Sequence, residues 1–457
     1  MLTTNCAFLE NEILDVARLF KNRPASITHA FRYDDSGVFY NDFNVDGDSY
    51  AFEDRGQVCG EIELKRLQRR FAKLHLYEIL SEKYGEKMPW GALTGIRPTK
   101  LAYTEIEQGN DYKTLFRQMH VQEENIRLVE DVLNAQKGIY EKKDGNTDLF
   151  VSLPFCPSKC AYCSFITAPI EKTRQFMPAY LDCLEKELQA AKASVKHLRS
   201  VYIGGGTPFA IDAPDLERVL KATGKAIGSK SVEYTVEAGR PDVFSAEKLQ
   251  LLKDYGVNRI CINPQTFSDE TLKKIGRKHT VADFYQAFEL AKGYGFIVNI
   301  DLIAGLEGET PETFAKGVEK AIETGAENIT VHCLSLKAGA KLKEEISYIE
   351  NDNISKMIGS SRTLLSKSGY EPYYMYRQKY QAGNNENVGW TKPQKACTYN
   401  IDVMEEVADN LGVGANAISK RVWNEQGRIE RLGSPKDLPT YIAGIDEIIA
   451  KKRKFFE

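Results

Sequence analysis

Three thiols are crowded into one short segment. Cys156, Cys160 and Cys163 stand in Leu153-Pro154-Phe155-Cys156-Pro157-Ser158-Lys159-Cys160-Ala161-Tyr162-Cys163, at C-x-x-x-C-x-x-C spacing. A loop of that length wraps three thiolates around one face of a cubane cluster. Iron–sulfur clusters are normally held by four cysteines, and no fourth lies nearby, so one iron is left open to another ligand. Zinc is the competing reading, because a C-x-x-C pair is common in tetrahedral sites. A zinc site wants a second such pair or a nearby His, and the motif holds neither. Redox-pair chemistry and three buried structural thiols are weaker rivals. Cys6, Cys59, Cys183, Cys261, Cys333 and Cys397 are scattered. An odd total of nine in 457 residues makes no disulfide framework, and each of the six reads as a buried small hydrophobe.

Polar residues then recur where short apolar runs end. Gly204-Gly205-Gly206-Thr207-Pro208 closes one such run. Glycines let a backbone approach a ligand closely, and strand-end carbonyls and amides can receive a zwitterion; a plain tight turn is the competing reading. Glu237 ends the third run, with a structural ion pair to Arg240 or Arg259 as its alternative role. Gln265 follows the fourth run, Arg277 comes twelve residues later, and Asp301 ends the fifth. Each alone is explained as a solvated polar residue, but all fall at the same end of successive strands. His332, near the end of the sixth run, reads as a satisfied core residue.

These residues need a parallel sheet to bring them together. From residue 148 apolar runs alternate with amphipathic stretches of helical period, the pattern of β/α units. Strands are predicted near 148–153, 200–204, 232–237, 258–263, 296–302 and 328–335, with helices near 172–196, 214–227, 245–255, 281–294 and 311–324. Gly256, Gly295 and Gly325 follow three of the helices. Six strands are too few for a closed eight-stranded barrel and fit an α/β fold with a partial, six-stranded (β/α)6 TIM-like barrel, whose chemistry sits at the C-terminal strand ends. Residues 1–145 read as an α+β N-terminal domain, from the aromatic alternation in Ala30–Tyr33 and Val38–Tyr40 and a charged helix near 61–83. The core then spans 146–350, and 351–457 form a mainly helical C-terminal extension. The 61 Lys+Arg against 64 Asp+Glu argue against an electrostatically driven nucleic-acid binder. No apolar stretch approaches the ~18 residues of a membrane span, and no secretory signal is visible, so a cytoplasmic location is expected.

The cysteine segment resembles the signature of radical S-adenosylmethionine (SAM) enzymes. That resemblance implies that Cys156, Cys160 and Cys163 ligate a [4Fe-4S] cluster whose fourth iron takes the amino-acid end of SAM. It also implies cleavage of SAM to methionine and a 5′-deoxyadenosyl radical that abstracts a substrate hydrogen. The glycine run resembles the family's GGTP motif for the SAM amino group. In order and spacing, roughly residues 148–420 resemble the oxygen-independent coproporphyrinogen III oxidase (HemN-like) family. This implies Gly205, Gly206, Thr207, Glu237, Gln265, Arg277 and Asp301 as SAM contacts, with Phe150, Tyr162 and Ile418 as further cofactor-binding positions. Leu93–Lys100 and Tyr376–Trp390 look like the HemZ-type branch, the coproporphyrinogen dehydrogenases.

The resemblance implies oxidative decarboxylation of coproporphyrinogen III propionates to protoporphyrinogen IX in anaerobic haem biosynthesis. It implies as partners a porphyrinogen and a low-potential electron donor such as flavodoxin or ferredoxin. Arg97, Lys100, Arg377 and Lys379 are candidates to pair the propionates, for which Arg's bidentate fork is suited; solvated surface charge is the competing reading. The aromatic stretch from Tyr373 to Tyr380 and the loop 383–390 are expected to cover the site. Several positions depart from the family's decarboxylases: Phe150 stands for Tyr, Ser152 for His, and Phe165 for an extra Cys. A haem-trafficking chaperone of the same family is one alternative, although Gly383–Trp390 lacks the His-Asn pair of those chaperones. A radical SAM methyltransferase acting on haem is another.

Overall fold

The computed structural model describes residues 1–95, 97–163, 168–228, 232–335, 351–378 and 384–457; Lys379 lies outside them. The chain divides into two compact units, Met1–Glu130 with Arg377–Asn385, and Asp131–Tyr376 with Glu386–Glu457. The boundaries read near 145 and 350 from composition therefore differ from those of the compact units.

In the N-terminal unit the aromatic alternation forms strands. β1 (Leu2–Thr4), β2 (Ile27–Tyr33), β3 (Val38–Val45) and β4 (Asp48–Arg55) make one sheet in that order, with β1 parallel to β2 and the others antiparallel. Asp46 and Gly47, at φ 54° and 99°, turn β3 into β4, as a two-residue hairpin turn with positive φ at both positions requires. The helix Glu61–Tyr84 buries Ala72, Leu76 and Leu80 completely and stops at Gly85 in the left-handed conformation. Phe71 of this helix packs on Phe39 of β3 with ring centroids 5.2 Å apart.

The core unit contains all six strands expected from the sequence. β5 (Asn146–Leu153) is followed by the short pair β6 (Phe155–Cys156) and β7 (Ala168–Pro169), and then by β8 (His197–Gly205), β9 (Glu233–Gly239), β10 (Arg259–Ile262), β11 (Ile297–Ala304) and β12 (Asn328–Cys333). β5, β8, β9, β10, β11 and β12 lie side by side in that order, all parallel. β10 is buried at every residue, as a strand covered on both faces should be. Helices Met177–Ala191, Ala213–Ile227, Ala246–Asp254, Val281–Gly293 and Pro311–Glu323 separate the strands. Ser245, Thr280 and Thr310 cap three of them through their side-chain oxygens. Gly256, Gly295 and Gly325 follow the helices with positive φ, as expected.

The C-terminal extension contributes more than helices. Alongside helices Asn351–Lys367, Thr398–Glu405, Leu438–Ala443 and Ile445–Phe456, it adds β13 (Glu371–Tyr376), β14 (Asn387–Thr391), β15 (Asp409–Val413), β16 (Ile418–Trp423) and β17 (Arg428–Gly433). β15 is a seventh parallel strand, outside β5. β14 joins β12 antiparallel, and the eleven-stranded sheet runs from β13 at one edge to β17 at the other. These strands are short, and Gly389 in β14 and Gly412 in β15 further weaken their signal in sequence. Among the described residues, no helix is long and apolar enough to cross a membrane.

Candidate active site

The cysteine loop leaves the C-terminal end of β5. Cys156 lies in β6, which pairs with β7, and Ala168 N–H donates to Pro154 O at 2.8 Å, bringing the far end of the loop back. Ala161 N–H donates to Ile275 O at 3.1 Å, and Ala161 and Tyr162 pack on buried Leu272, Ile275, Ile303, Leu306 and Leu334. Arg277 Nη2 donates to Tyr162 Oη at 2.8 Å, and Arg240 Nη1 to Ser158 Oγ at 2.7 Å. Cys156 and Cys160 are buried and Cys163 is half-buried. Burial, with the neighbouring Cys163 and Cys160 sulfurs adding to it, pushes the Cys156 thiol up to about 11. Its proton is therefore retained until a metal displaces it. Among the described residues no three His, Cys, Asp or Glu side chains form a single-ion site. Three neighbouring thiols suit a cluster, where each binds a different iron. Of the other cysteines, Cys261, Cys333 and Cys397 are buried as expected, Cys6 and Cys183 are half-buried, and Cys59 is exposed.

The glycine run is crowded by protein. A Cβ on Gly206 would stand 2.5 Å from Phe155 O, and one on Gly205, at φ +109°, 2.9 Å from Ser152 Oγ. Gly206 N–H donates to Leu153 O and Thr207 N–H to Phe155 O, both at 2.7 Å. These two amides are spent on the cysteine loop rather than presented to a ligand. The glycines are thus needed for the end of β8 to abut that loop, and Thr207 Oγ1 reaches 3.5 Å from Cys156 Sγ.

Glu237, Gln265, Arg277 and Asp301 come together at the strand ends beyond the glycines. Neither arginine proposed as a partner reaches Glu237: Arg240 pairs Asp242 and Arg259 pairs Glu233. Tyr202 Oη donates to Glu237 at 3.5 Å. Burial first, and Asp301 second, push the Glu237 carboxyl up to about 8. For Asp301 burial opposes the charge, but His332 and Asn299 outweigh it and hold the carboxyl below its ordinary value. Asn299 Nδ2 donates to Asp301 at 2.8 Å, and His332 Nε2 lies 3.7 Å from it. His332 Nδ1 is 3.0 Å from Tyr376 Oη, so this histidine is satisfied, though at the rim.

Gln265 has φ 69°, its N–H donating to Asp301 O at 3.0 Å and its carbonyl accepting from Ile303 N–H at 2.9 Å. Its buried Oε1 has no partner, and neither has Arg277 Nε. Unpaired buried polar atoms cost about 1–3 kcal/mol each, a cost that a polar ligand such as SAM relieves. This is the observation on which the rim fits that cofactor. A cavity of about 130 Å³ is lined by Tyr202, Cys261, Asp301, His332, Tyr374 and Asn400, among others.

The remaining expected residues belong to both units. Phe150 lies beside the stacked pair Tyr202 and Tyr399, whose ring centroids are 4.5 Å apart, with its own centroid 6.2 and 6.3 Å from theirs. Ile418, at the start of β16, is 54% exposed. Arg97 stands at the N-cap position of the helix Pro98–Glu107, which carries Lys100, and both belong to the N-terminal unit. So does Arg377, whose Nη1 donates to Leu93 O at 2.6 Å, whose Nη2 bonds Asn384 Oδ1, and whose guanidinium lies 5.1 Å from the Trp90 ring centroid. A propionate at Arg377 has these contacts to compete with.

Sequence reasoning passed over Ser158, Tyr202, His279 and Glu309. Burial, then the Arg277 charge, hold His279 down to about 4, and burial pushes Glu309 up to about 7. Ser158 and His279 adjoin motif residues in the chain but carry no spacing signal of their own, and the fold brings Tyr202 to Glu237 and Glu309 to Thr266.

Residues 150–321 match the model of the radical SAM superfamily. The chain is 33% identical over 411 residues to the oxygen-independent coproporphyrinogen-III oxidase-like protein HemZ of Bacillus subtilis (strain 168), across 86% of this chain and 82% of that one. It is 35% identical over 231 residues to the heme chaperone HemW of Lactococcus lactis subsp. lactis (strain IL1403), across 49% and 60%. Its fold is similar to that of the coproporphyrinogen III oxidase HemN from Escherichia coli, with a TM-score of 0.54, 23% identity, and 69% and 72% of the two chains covered.

Proposed function

Because the chain belongs to the radical SAM superfamily, within its HemN- and HemZ-like family, we propose that it oxidatively decarboxylates two propionates of coproporphyrinogen III, giving protoporphyrinogen IX. The similarity to HemZ over most of both chains carries the reading. Proteins of the superfamily use a [4Fe-4S] cluster and SAM, which when bound supply radical hydrogen abstraction. Each propionate then loses one hydrogen atom from the carbon next to the ring, CO2 and one electron, leaving a vinyl group. The electron passes to an acceptor, and a donor such as flavodoxin or ferredoxin feeds the cluster.

The chain's own residues bind and orient. Cys156, Cys160 and Cys163 hold the cluster. Gln265 Oε1, Arg277, Glu237 and Asp301 receive the polar groups of SAM. In the cofactor-free protein at neutral pH Glu237 carries its proton and Asp301 is ionised; a cationic ligand such as SAM favours ionisation of Glu237, which then accepts from it. Arg97, Lys100, Arg377 and Lys379 remain the proposed propionate contacts.

The test is an anaerobic assay of the reconstituted protein with SAM, dithionite and coproporphyrinogen III, following porphyrinogen products and 5′-deoxyadenosine. Protoporphyrinogen IX formed with matching SAM cleavage is the expected result. SAM cleavage with no decarboxylated product sinks the substrate and spares the family. The similarity to HemW favours a second reading, a haem-trafficking chaperone. Stable haem binding without porphyrinogen conversion would establish it, against the lack of a His in 383–390.

A further inference from the structure

A buried arginine reaches from the end of β9 into the middle of the cysteine loop. Arg240, in Gly239-Arg240-Pro241-Asp242, is only 3% exposed. Its Nε and Nη2 donate to the two carboxylate oxygens of Asp242 at 2.9 and 2.7 Å, a bidentate fork that fixes the guanidinium plane. Burial pushes the Asp242 carboxyl up, and the fork more than reverses this, holding it below its ordinary value. The remaining terminal nitrogen, Nη1, is thereby aimed at Ser158 Oγ, 2.7 Å away.

Ser158 stands midway between Cys156 and Cys160, and 82 residues separate it from Arg240. The contact is therefore a tether between distant segments and no part of the loop's own turn. A matching contact holds the other gap, where Arg277 bonds Tyr162 between Cys160 and Cys163. Each span between cysteines is gripped by one guanidinium. A three-residue span between two thiols has many shapes, and ordering it costs about 1–2 kcal/mol per residue. A loop already held by a rigid fork meets that cost before the metal arrives.

We propose that Arg240 is a positioning residue for the cluster, acting through Ser158 to hold the Cys156-to-Cys160 span in the shape that binds iron. The proposal rests on the three cysteines holding a [4Fe-4S] cluster. Asp242 belongs to the device, since without it the guanidinium has no fixed plane. Arg277 serves SAM as well as the loop, so Arg240 is the cleaner place to separate loop shape from cofactor binding.

The experiment uses the full chain, reconstituted anaerobically with iron and sulfide, and the variants Ser158→Ala, Arg240→Gln and Arg240→Lys. It reads iron per chain, the rate of iron release to a ferrous chelator, and the EPR spectrum of the reduced cluster without SAM. Ser158→Ala is expected to release iron about 10-fold faster and Arg240→Gln up to about 100-fold faster, the range for outer-shell partners of metal ligands. Arg240→Lys falls between, because one ammonium cannot fork Asp242 and reach Ser158 together. The EPR signal shifts in Ser158→Ala while the melting temperature of its metal-free form stays at the parent value.

A merely structural Arg240 predicts the reverse: a lower melting temperature in the arginine variants, with Ser158→Ala like the parent in iron release and EPR. That result overturns the proposal, and Ser158→Ala decides alone if the arginine variants do not fold. A parent chain that takes up no iron overturns the cluster assignment and the proposal with it. Iron uptake by the parent with an unchanged Ser158→Ala overturns the proposal only.

Discussion

In the N-terminal unit buried charges sit against their opposites: Lys73 lies 3.4 Å from Glu12, Arg70 3.3 Å from Glu105, and His75 between Asp54 at 2.7 Å and Glu78 at 3.1 Å. At the rim of the core unit, Glu237 and Glu309 have no cation within ion-pair distance among the described residues, and burial raises both carboxyls. Gln265 Oε1 and Arg277 Nε are left without partners there. Folding alone gives no reason to keep such groups, since a buried polar atom without a partner weakens the native state. The two regions therefore differ in how they treat charge: the N-terminal unit pairs the charges it buries, although neutral atoms such as Asn41 Nδ2, Thr94 Oγ1 and Thr99 Oγ1 lack partners there too, whereas the rim buries carboxyls with no cation against them and holds that polarity ready for something that binds.

The strongest way to break this contrast is at the thiols. Cys156→Ala, Cys160→Ala and Cys163→Ala are each expected to lose the cluster and abolish SAM cleavage, while Cys261→Ala and Cys397→Ala keep about four irons per chain. Iron analysis and a 5′-deoxyadenosine assay check this; equal loss in Cys261→Ala would erase the distinction between loop and cavity thiols. Next come Gln265→Ala and Asp301→Asn, expected to retain iron while weakening SAM binding about 10-fold or more, in keeping with hydrogen bonds to charged groups. Titration calorimetry on the reconstituted protein measures it, and unchanged affinity would remove both from the cofactor site.

A pH series sharpens the contrast. The Glu237 carboxyl titrates at about 8 when folded and at about 4.3 when unfolded. Between these values the folded state holds a proton that the unfolded state has lost. This group therefore makes the cofactor-free protein less stable as pH rises to about 8. Glu237→Gln is expected to flatten that slope and to gain up to a few kcal/mol at alkaline pH, on the order set by linkage, read from urea midpoints on either side of neutrality.

His75 is expected to give the smallest effect, with the opposite sign on substitution. Burial opposes its charge, but Asp54 and Glu78 outweigh that and raise it to about 9. The stability it adds is full below its unfolded value of about 6.5 and is lost as pH climbs through about 9. His75→Gln should cost roughly 1 kcal/mol at acid pH after solvent screening and little at strongly alkaline pH. A destabilising Glu237→Gln with a neutral His75→Gln would reverse the comparison.

Much of this arrangement was legible in sequence because it is local. The six parallel strands show as apolar runs, and the three cysteines are a contiguous pattern. Gln265 and Asp301 could be placed at the rim because strand ends can be counted along the chain, whereas Arg277 follows the helix Asp269–Lys274 and was singled out by the family resemblance. β15 was not read as a strand, since Asn410 and Gly412 interrupt its five residues. Arg240 was weighed only as a partner for Glu237, while its actual partners are Asp242, two residues on, and Ser158, 82 residues back. Periodicity carries no information about a contact of that separation. The glycine run was legible as a need for close approach, but what approaches it, the cysteine loop, depends on how β5 and β8 are registered.

The N-terminal unit is not continuous in the chain: Arg377–Asn385 belongs with Met1–Glu130. On a ribosome the first 130 residues emerge early, and the piece that completes them arrives only after β5 and β8 to β12 of the parallel core have been made. The unit that begins first is thus finished late, and a nascent chain stalled between these points carries an incomplete N-terminal unit through the synthesis of the cluster loop. Translation order places synthesis of the cysteine loop before that of the last segment of the unit that precedes it, so any factor acting on the nascent chain would meet the thiols while the first unit still lacks that segment.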